Sequence, residues 1–216
     1  DLGQPSAFLG NSLTPPTAAA MKNALKLLEE LGAVECDLQA VVEDSKTCAS
    51  LTDTTTQLTA LGFHLATLPV EPRIGKLIIY GALFLCVDPA LTIAASMASK
   101  SPFLSPFDNR EAANESRKAF SIDDSDHLTI VTAFKKWREL RIRKGDGAAS
   151  RFARENFLSR IALFQIEELR KQFSSLLVEI GFLPAGFRLE RAGETSDSNK
   201  NAKNISLLKA VLCAGL

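Results

Sequence analysis

The chain has 216 residues, 46% hydrophobic and 23% charged, which suits one large domain or two small ones and excludes wholesale disorder. The formal charge is zero, but residues 1–60 carry net −5 and residues 61–216 net +5. A neutral total charge therefore does not exclude a polyanionic partner, because binding depends on the local electrostatic field rather than on the net charge. The most apolar stretch, residues 77–87, is shorter than the ~20 residues of a membrane span, so we expect no membrane association.

Cysteine and histidine spacing argues against a zinc site and for reduced thiols. The cysteines are Cys36, Cys48, Cys86 and Cys213, and the histidines are His64 and His127. No CxxC spacing occurs, and neither histidine is near a cysteine in sequence. We expect a reducing, intracellular compartment. A Cys36–Cys48 disulfide is the alternative.

The N-terminal third predicts one helix followed by a hairpin. Apolar residues recur with helical period over residues 21–31, Thr14 or Thr17 can cap the helix, and Gly32 ends it. Short β-prone runs follow in Thr-rich sequence. A helix and a small hairpin are typical of a winged helix, with residues 37–57 as an insertion in the wing. We therefore predict a winged-helix domain over residues 1–58.

Residues 59–216 predict a helical bundle, so the fold class is mainly α. After a first helix from Thr59, two apolar helices broken at Asp88-Pro89 are expected in the core. A helix over residues 126–143 precedes a "GDGAAS" linker. Residues 151–180 predict one or two further helices, and residues 205–213 a last one. The chain starts without Met and ends inside a helical pattern, so we expect it to be part of a longer protein.

The connection between the core pair and the 126–143 helix carries two copies of Ser-Pro-Phe, Ser101–Phe103 and Ser105–Phe107. Each Pro disfavours helix at the preceding residue, and we expect both Phe rings to fix the connection. An acidic cluster with His127 follows. It fails the calcium-loop pattern, because Thr129 and Lys135 stand where Gly and Glu are required. The cluster instead predicts a helix start capped by Ser125 or Asp126.

Motifs of the common enzyme classes are missing from the sequence. There is no GxSxG elbow, no GxxxxGK[ST] loop and no GxGxxG loop. We therefore expect no catalytic residue, metal or cofactor site within the chain itself.

Residues 135–160 hold nine basic residues against three acidic ones, a net +6, with Trp137, Phe152 and Phe157 interleaved. Single-stranded nucleic acid is bound by such cations and aromatic faces. A solvated helix face is the alternative. The aromatic spacing favours the core, and for the basic residues both interpretations stay open.

Long stretches of the chain resemble one family. The residues that carry the resemblance read "LTALGFHLATLPVEPRIGKLIIYGALFLCVDPALTIAASMASKSPF", "SPFDNREAANESRKAF", "SDHLTIVTAFKKW" and "RENFLSR", in that order. They resemble the helicase-associated region of DEAH/RHA-type ATP-dependent RNA helicases. The earlier "LTPPTAAAMKNALKLLEELGAVE" resembles the family's winged helix, and "NISLLKAVLCAGL" the helix leading to its oligonucleotide-binding fold. The 37–57 and 191–204 segments depart from the family pattern.

The resemblance implies a winged helix and a ratchet bundle that form one wall of a single-stranded RNA channel. RecA-like motor domains of the parent chain would bind ATP and Mg²⁺, and an oligonucleotide-binding fold would follow residue 216. The expected partners are single-stranded or structured RNA and these domains. The fragment itself is expected to be a monomer. The expected location is the cytoplasm, with the nucleus as the alternative. A protein-interaction scaffold without RNA contact is the alternative. The RNA-binding residues implied are Lys100, Ser101, Arg110, Arg117, Lys118, Ser125, His127, Lys135, Arg138 and Asn156.

Overall fold

The computed structural model describes residues 5–36, 56–189 and 196–216, and their mainly helical content confirms the predicted fold class. In chain order the elements are α1 (Pro5–Gly10), α2 (Ala18–Glu30), β1 (Val34–Cys36), β2 (Thr56–Leu58), α3 (Ala60–Thr67), α4 (Pro72–Leu83), α5 (Val87–Met97), α6 (Arg110–Lys118), α7 (Asp126–Glu155), α8 (Arg160–Glu179) and α9 (Ile205–Gly215). Two compact units divide the chain, Asp1–Lys76 and Leu77–Leu216. The predicted domain boundary at residue 58 stays a prediction.

The first unit contains the predicted helix and hairpin. Thr17 caps α2, accepting the Ala20 N–H at 3.2 Å, which confirms one of the two proposed caps. Strands β1 and β2 pair antiparallel, with Val34 opposite Leu58. Residues 37–55 of the predicted wing insertion, and Cys48 of the Cys36–Cys48 pair, lie outside the described residues. A short helix that the sequence patterns did not indicate, α1, precedes α2.

Helix α5 is the centre of the second unit. Nine of its residues are buried, and it packs against α7 and α8, which confirms the apolar pair as core. The predicted break at Asp88-Pro89 is wrong, because α4 ends at Leu83 and α5 begins at Val87. Pro89 lies in the first turn of α5. Backbone N–H groups there have no intrahelical acceptor, so a proline costs no helix hydrogen bond. The chain reverses instead at Leu85, whose φ is +55°.

Helix α7 runs through the sequence that was predicted to be a linker. The "GDGAAS" residues are helical except for a kink at Gly145, where φ is +81° and ψ 177°. Glycine adopts this conformation without steric strain, so the chain kinks at Gly145 and then continues as a helix instead of forming a linker. The predicted 151–180 stretch is therefore the end of α7 and the whole of α8, separated at residues 156–159.

The two Ser-Pro-Phe copies have different environments. The first lies against the turn between α7 and α8, where the Ser159 N–H donates to Pro102 O at 2.7 Å and the Leu104 N–H to Phe157 O at 2.8 Å. Pro102 is buried, and the Phe103 ring lies 6.3 Å from that of Phe120. The first copy thus fixes the connection as predicted. The prediction is wrong for the second copy, because Phe107 is 88% exposed.

An ionic cluster joins three helices of this unit. Asp88 of α5 pairs through Oδ1 with Arg170 Nη2 of α8, and Arg138 Nη1 of α7 lies 3.6 Å from the same oxygen. The Arg170 side chain is 1% exposed, and its guanidinium carbon lies 4.7 Å from the Phe134 ring centre. Burial lowers the pKa of Arg170, and the Asp88 carboxylate opposes that shift.

Neighbouring groups hold the Asp88 backbone in place. Its N–H donates to Asn199 Oδ1 at 2.8 Å, and the Thr92 hydroxyl donates to its C=O at 2.8 Å. One carboxylate thus faces two guanidinium groups, and the cluster carries an excess positive charge. Because an uncompensated buried charge is costly, Asp88, with a smaller contribution from Glu167, stabilises Arg170 in the core.

The contact between α4 and α5 gives a packing prediction. A Cβ added at Gly81 would lie 2.3 Å from the Cβ of Ala90, so Gly81→Ala forces the helices apart. We expect overpacking to lower the free energy of unfolding by about 1–3 kcal/mol, partly offset by the higher helix propensity of Ala. Urea unfolding measures this.

Two further variants control that experiment. Gly81→Ala/Ala90→Gly removes the opposing methyl group and should recover part of the loss. Gly147→Ala adds a Cβ with nothing within 4 Å and should not destabilise. Equal effects of Gly81→Ala and Gly147→Ala would contradict the close contact.

The ionic cluster gives a second prediction. Asp88→Ala leaves the Arg170 charge buried without its carboxylate, and we expect the free energy of unfolding to fall by about 3–5 kcal/mol. Asp88→Ala/Arg170→Met should recover most of that loss, because an apolar side chain replaces the stranded charge. Chemical denaturation of the single and double variants gives both values.

Asp146→Ala is the matched control. This carboxylate pairs with Arg141 at 2.8 Å but is 65% exposed, so its loss should cost less than about 1 kcal/mol. If Asp88→Ala cost no more than Asp146→Ala, the cluster would not be a determinant of stability.

Candidate nucleic-acid interface

The predicted RNA-binding residues lie in the second unit, on or beside α5, α6 and α7. The segment after α5 carries Lys100 and Ser101, α6 carries Arg110, Arg117 and Lys118, and α7 with its caps carries Ser125, His127, Lys135, Arg138 and Asn156. They do not form one cluster, and several already have intramolecular roles.

Two of these residues are helix caps. Ser125 begins α7, and its hydroxyl oxygen accepts the Leu128 N–H at 3.4 Å, which confirms it as the predicted cap. Asn156 ends α7, donating from Nδ2 to Phe152 O at 2.9 Å. The Ser116 hydroxyl donates to Asn156 O at 3.2 Å. RNA contact by either residue would have to share or replace these bonds.

The residues near α6 are partly engaged and partly exposed. Arg117 Nη2 lies 2.8 Å from Asp126 Oδ1, and the Arg117 guanidinium lies 5.2 Å from the Phe103 ring centre. The Ser101 hydroxyl oxygen accepts the Phe103 N–H at 3.3 Å. A separate group of three has exposed side chains, namely Lys100, Arg110 and Lys118, while His127 is half-buried.

Lys135 and Arg138 are the predicted residues that the fold brings together. Both line a groove of about 700 Å³ between α5, α7, α8 and residues 199–205, which we call the basic groove. Its basic side chains are Lys135, Lys136, Arg138, Arg143, Arg170 and Lys203, and its acidic ones are Asp88 and Glu139. Counted over the described residues alone, six cations against two anions give the lining a net charge of +4.

The floor of the basic groove is the ionic cluster described above. Because Asp88 is shared between Arg138 and Arg170, it cannot neutralise both. In the partly desolvated groove this excess charge is screened less than on an open surface. The groove is therefore electrostatically suited to an anion, while its Ile142 and Val131 side chains supply apolar surface.

Another cation of the 135–160 segment faces inward. Arg141 pairs with Glu167 and, at 2.8 Å, with Asp146, and its guanidinium lies 4.7 Å from the Phe164 ring centre. Trp137 is 1% exposed, as expected for a core aromatic. The net charge of residues 135–160 thus overstates what that segment presents to solvent.

Sequence reasoning missed three groove residues, Asp88, Arg170 and Lys203. Arg170 carried a usable signal, because it interrupts the buried stripe of Ile166, Phe173 and Leu177 on α8. A charged residue at an apolar position predicts a buried partner. That partner is 82 positions away, so periodicity alone could not identify it.

The described residues contain neither a metal-binding cluster nor a membrane-spanning helix. No group of three or more His, Cys, Asp or Glu side chains is arranged to hold a metal ion there. Across residues 5–36, 56–189 and 196–216, none of the helices combines the length and apolar character needed to cross a membrane.

Comparison with known proteins gives the family. Residues 24–70 match the winged-helix part and residues 71–130 the ratchet-like part of the helicase-associated domain (HA2). Over 216 residues, 100% of this chain, it is 40% identical to the ATP-dependent DNA/RNA helicase DHX36 of Homo sapiens. The corresponding identity is 38% to the DExH-box ATP-dependent RNA helicase DExH1 of Arabidopsis thaliana and 37% to the ATP-dependent RNA helicase DHX29 of Homo sapiens.

The matched region is a small part of each relative. The chain spans 19% of the length of DHX36 and of DExH1, and 14% of DHX29. The relatives, the two family matches and the helix–hairpin–bundle order all agree. The chain belongs to the helicase-associated domain family of DEAH-box RNA helicases, with a winged-helix part followed by a ratchet-like part.

Proposed function

We propose that this chain is an accessory C-terminal module of an ATP-dependent DEAH-box RNA helicase. It forms one wall of a single-stranded RNA channel and couples motor-domain movement to RNA translocation and unwinding. The observation that carries the proposal is the basic groove, which brings together six cations, the buried Arg170 among them, in a chain whose net charge is zero.

Phosphates are the ligands that this lining suits. Lysine and arginine bind phosphates by charge, and that binding fixes a strand's position without reading its sequence. Lys135 and Arg143 are exposed at the groove. A wall of this kind grips RNA passively, and the force for translocation comes from elsewhere in the parent protein.

The remaining predicted contacts extend this wall. Lys100, Arg110 and Lys118 present exposed cations to phosphates, and Arg117 would do so by leaving Asp126. Ser101, Ser125, His127 and Asn156 stay predictions for hydrogen bonds to sugar or base edges.

The chemistry of the reaction belongs to other parts of the parent protein. RecA-like motor domains would bind ATP and Mg²⁺, and an oligonucleotide-binding fold would complete the channel. The names of the relatives, which include ATP-dependent helicases, support this assignment. An intracellular location, the cytoplasm before the nucleus, belongs to the same proposal and is supported by the free thiols of Cys86 and Cys213.

A protein-interaction scaffold is the second candidate. Its support is that Arg117, Arg138 and Arg141 already have carboxylate partners within the chain. In that case the bundle docks motor domains or regulators, and the groove cations are solvated surface.

Charge reversal separates the two candidates. Lys135→Glu/Arg143→Glu places two anions at the groove, and we expect affinity for single-stranded RNA to fall by about tenfold or more. The slope of log affinity against log salt should shrink by about one for each phosphate that the variant no longer binds. Fluorescence anisotropy across a salt series gives both quantities.

Lys22→Glu/Arg151→Glu makes the same charge change at two exposed positions outside the groove and should bind nearly as the unmodified chain does. Unchanged RNA affinity in the groove variant would favour the scaffold. Salt-independent RNA binding would contradict the proposal that this chain binds RNA through charge. ATP hydrolysis by the isolated chain would contradict the proposal that the motor domains carry the ATP chemistry.

A further inference from the structure

The second Ser-Pro-Phe copy presents an aromatic ring to solvent. Phe107 is 88% exposed on a 3-10 turn that follows the extended Pro106, whose φ is −66° and ψ 142°. The Arg110 guanidinium carbon lies 5.9 Å from the Phe107 ring centre. The 3-10 turn and the proline restrict the backbone that carries this ring. In the first copy, Pro102 is buried and the Phe103 ring packs against Phe120. Because the first copy already fixes the connection, the fold does not require an exposed aromatic residue at position 107.

A pocket lies beside this turn. It has a volume of about 520 Å³ and an apolar wall made by Leu104, Pro106, Ala153, Phe157 and Leu158. Among residues 5–36, 56–189 and 196–216, its charged lining residues are Arg154 and Arg160, with no Asp or Glu side chain. An apolar wall with cations and no carboxylate fits a flat apolar group attached to an anion.

The pocket wall contains a backbone conformation that is unusual for an aromatic residue. Phe157 has φ +52°, immediately after the C-cap of α7, and the Leu158 N–H donates to Ala153 O at 2.8 Å. This is a Schellman helix end, where the left-handed position favours glycine. Strained residues of this kind are enriched at functional sites. In this conformation Phe157 lines the pocket, and its carbonyl accepts the Leu104 N–H at 2.8 Å.

We propose that Phe107 and this pocket bind one nucleobase of single-stranded RNA. The base stacks on the exposed Phe107 ring beside the pocket that Pro106 lines, and Arg110, Arg154 and Arg160 pair with the flanking phosphates. The inference rests on the proposed function and adds to it a base-binding subsite whose lining residues differ from those of the basic groove. Stacking is tolerant of sequence, because every base has a π-face, so the site holds RNA without selecting bases.

Anisotropy with two ligands tests the subsite on the 216-residue chain. The ligands are a short labelled oligouridine and an abasic backbone of the same length. Phe107→Ala should weaken oligouridine binding by at least about fivefold and leave abasic binding unchanged, because only stacking is removed. Phe107→Trp should restore affinity, since the larger ring also stacks.

Phe63→Ala is the matched control, because that ring is 61% exposed but lies in the other unit. It should not change either affinity. Equal urea midpoints for Phe107→Ala and the unmodified chain would exclude a folding effect, as expected for so exposed a ring.

The outcomes distinguish this subsite from the proposed function. Unchanged oligouridine affinity in Phe107→Ala, together with weaker binding in Lys135→Glu/Arg143→Glu, would overturn the subsite alone and leave Phe107 as a contact for protein. Equal reductions for oligouridine and abasic backbone would also overturn it. No binding of either ligand by the unmodified chain would overturn the proposed function, and the subsite with it.

Discussion

The second unit depends on one carboxylate. Asp88 stands in the first turn of the most buried helix and pairs with Arg170, which would otherwise be an uncompensated charge in the core. The same carboxylate is within 3.6 Å of Arg138, so it joins α5, α7 and α8 at a single point. It cannot neutralise both guanidinium groups, and the excess charge lies at the floor of the basic groove. If the groove binds RNA as proposed, stability and anion affinity have a common origin in this cluster.

The second unit carries two candidate RNA-binding surfaces, of which only the basic groove contains this cluster, and their chemistry differs. The basic groove offers cations to phosphates. The turn at Phe107 offers an exposed ring beside an apolar pocket with two arginines. The two Ser-Pro-Phe copies have different environments. The first is hydrogen-bonded to the turn between α7 and α8, whereas the second exposes Phe107 to solvent. A strand held by both surfaces would have its backbone and one base restrained independently.

Local features were predictable from sequence, and long-range ones were not. The helical periods, the Thr17 and Ser125 caps and the β1–β2 hairpin depend on neighbouring residues, and the structure contains them. The break before α5 was misplaced because Pro89 is compatible with a first turn, and Gly145 was taken for a linker because glycine also permits a helix kink. Of the predicted site, Lys135 and Arg138 share a groove, but its floor depends on Arg170. The family resemblance, rather than the spacing, supplied the link to RNA.

Photo-crosslinking tests the central claim, that the basic groove is an RNA wall, most directly. RNA carrying 4-thiouridine would be irradiated with the chain, and crosslinked peptides identified by mass spectrometry. We expect crosslinks within residues 131–143 and 199–205, which include the groove lining, and their disappearance at high salt. Crosslinks confined to the first unit, or groove crosslinks that persist at high salt, would contradict it.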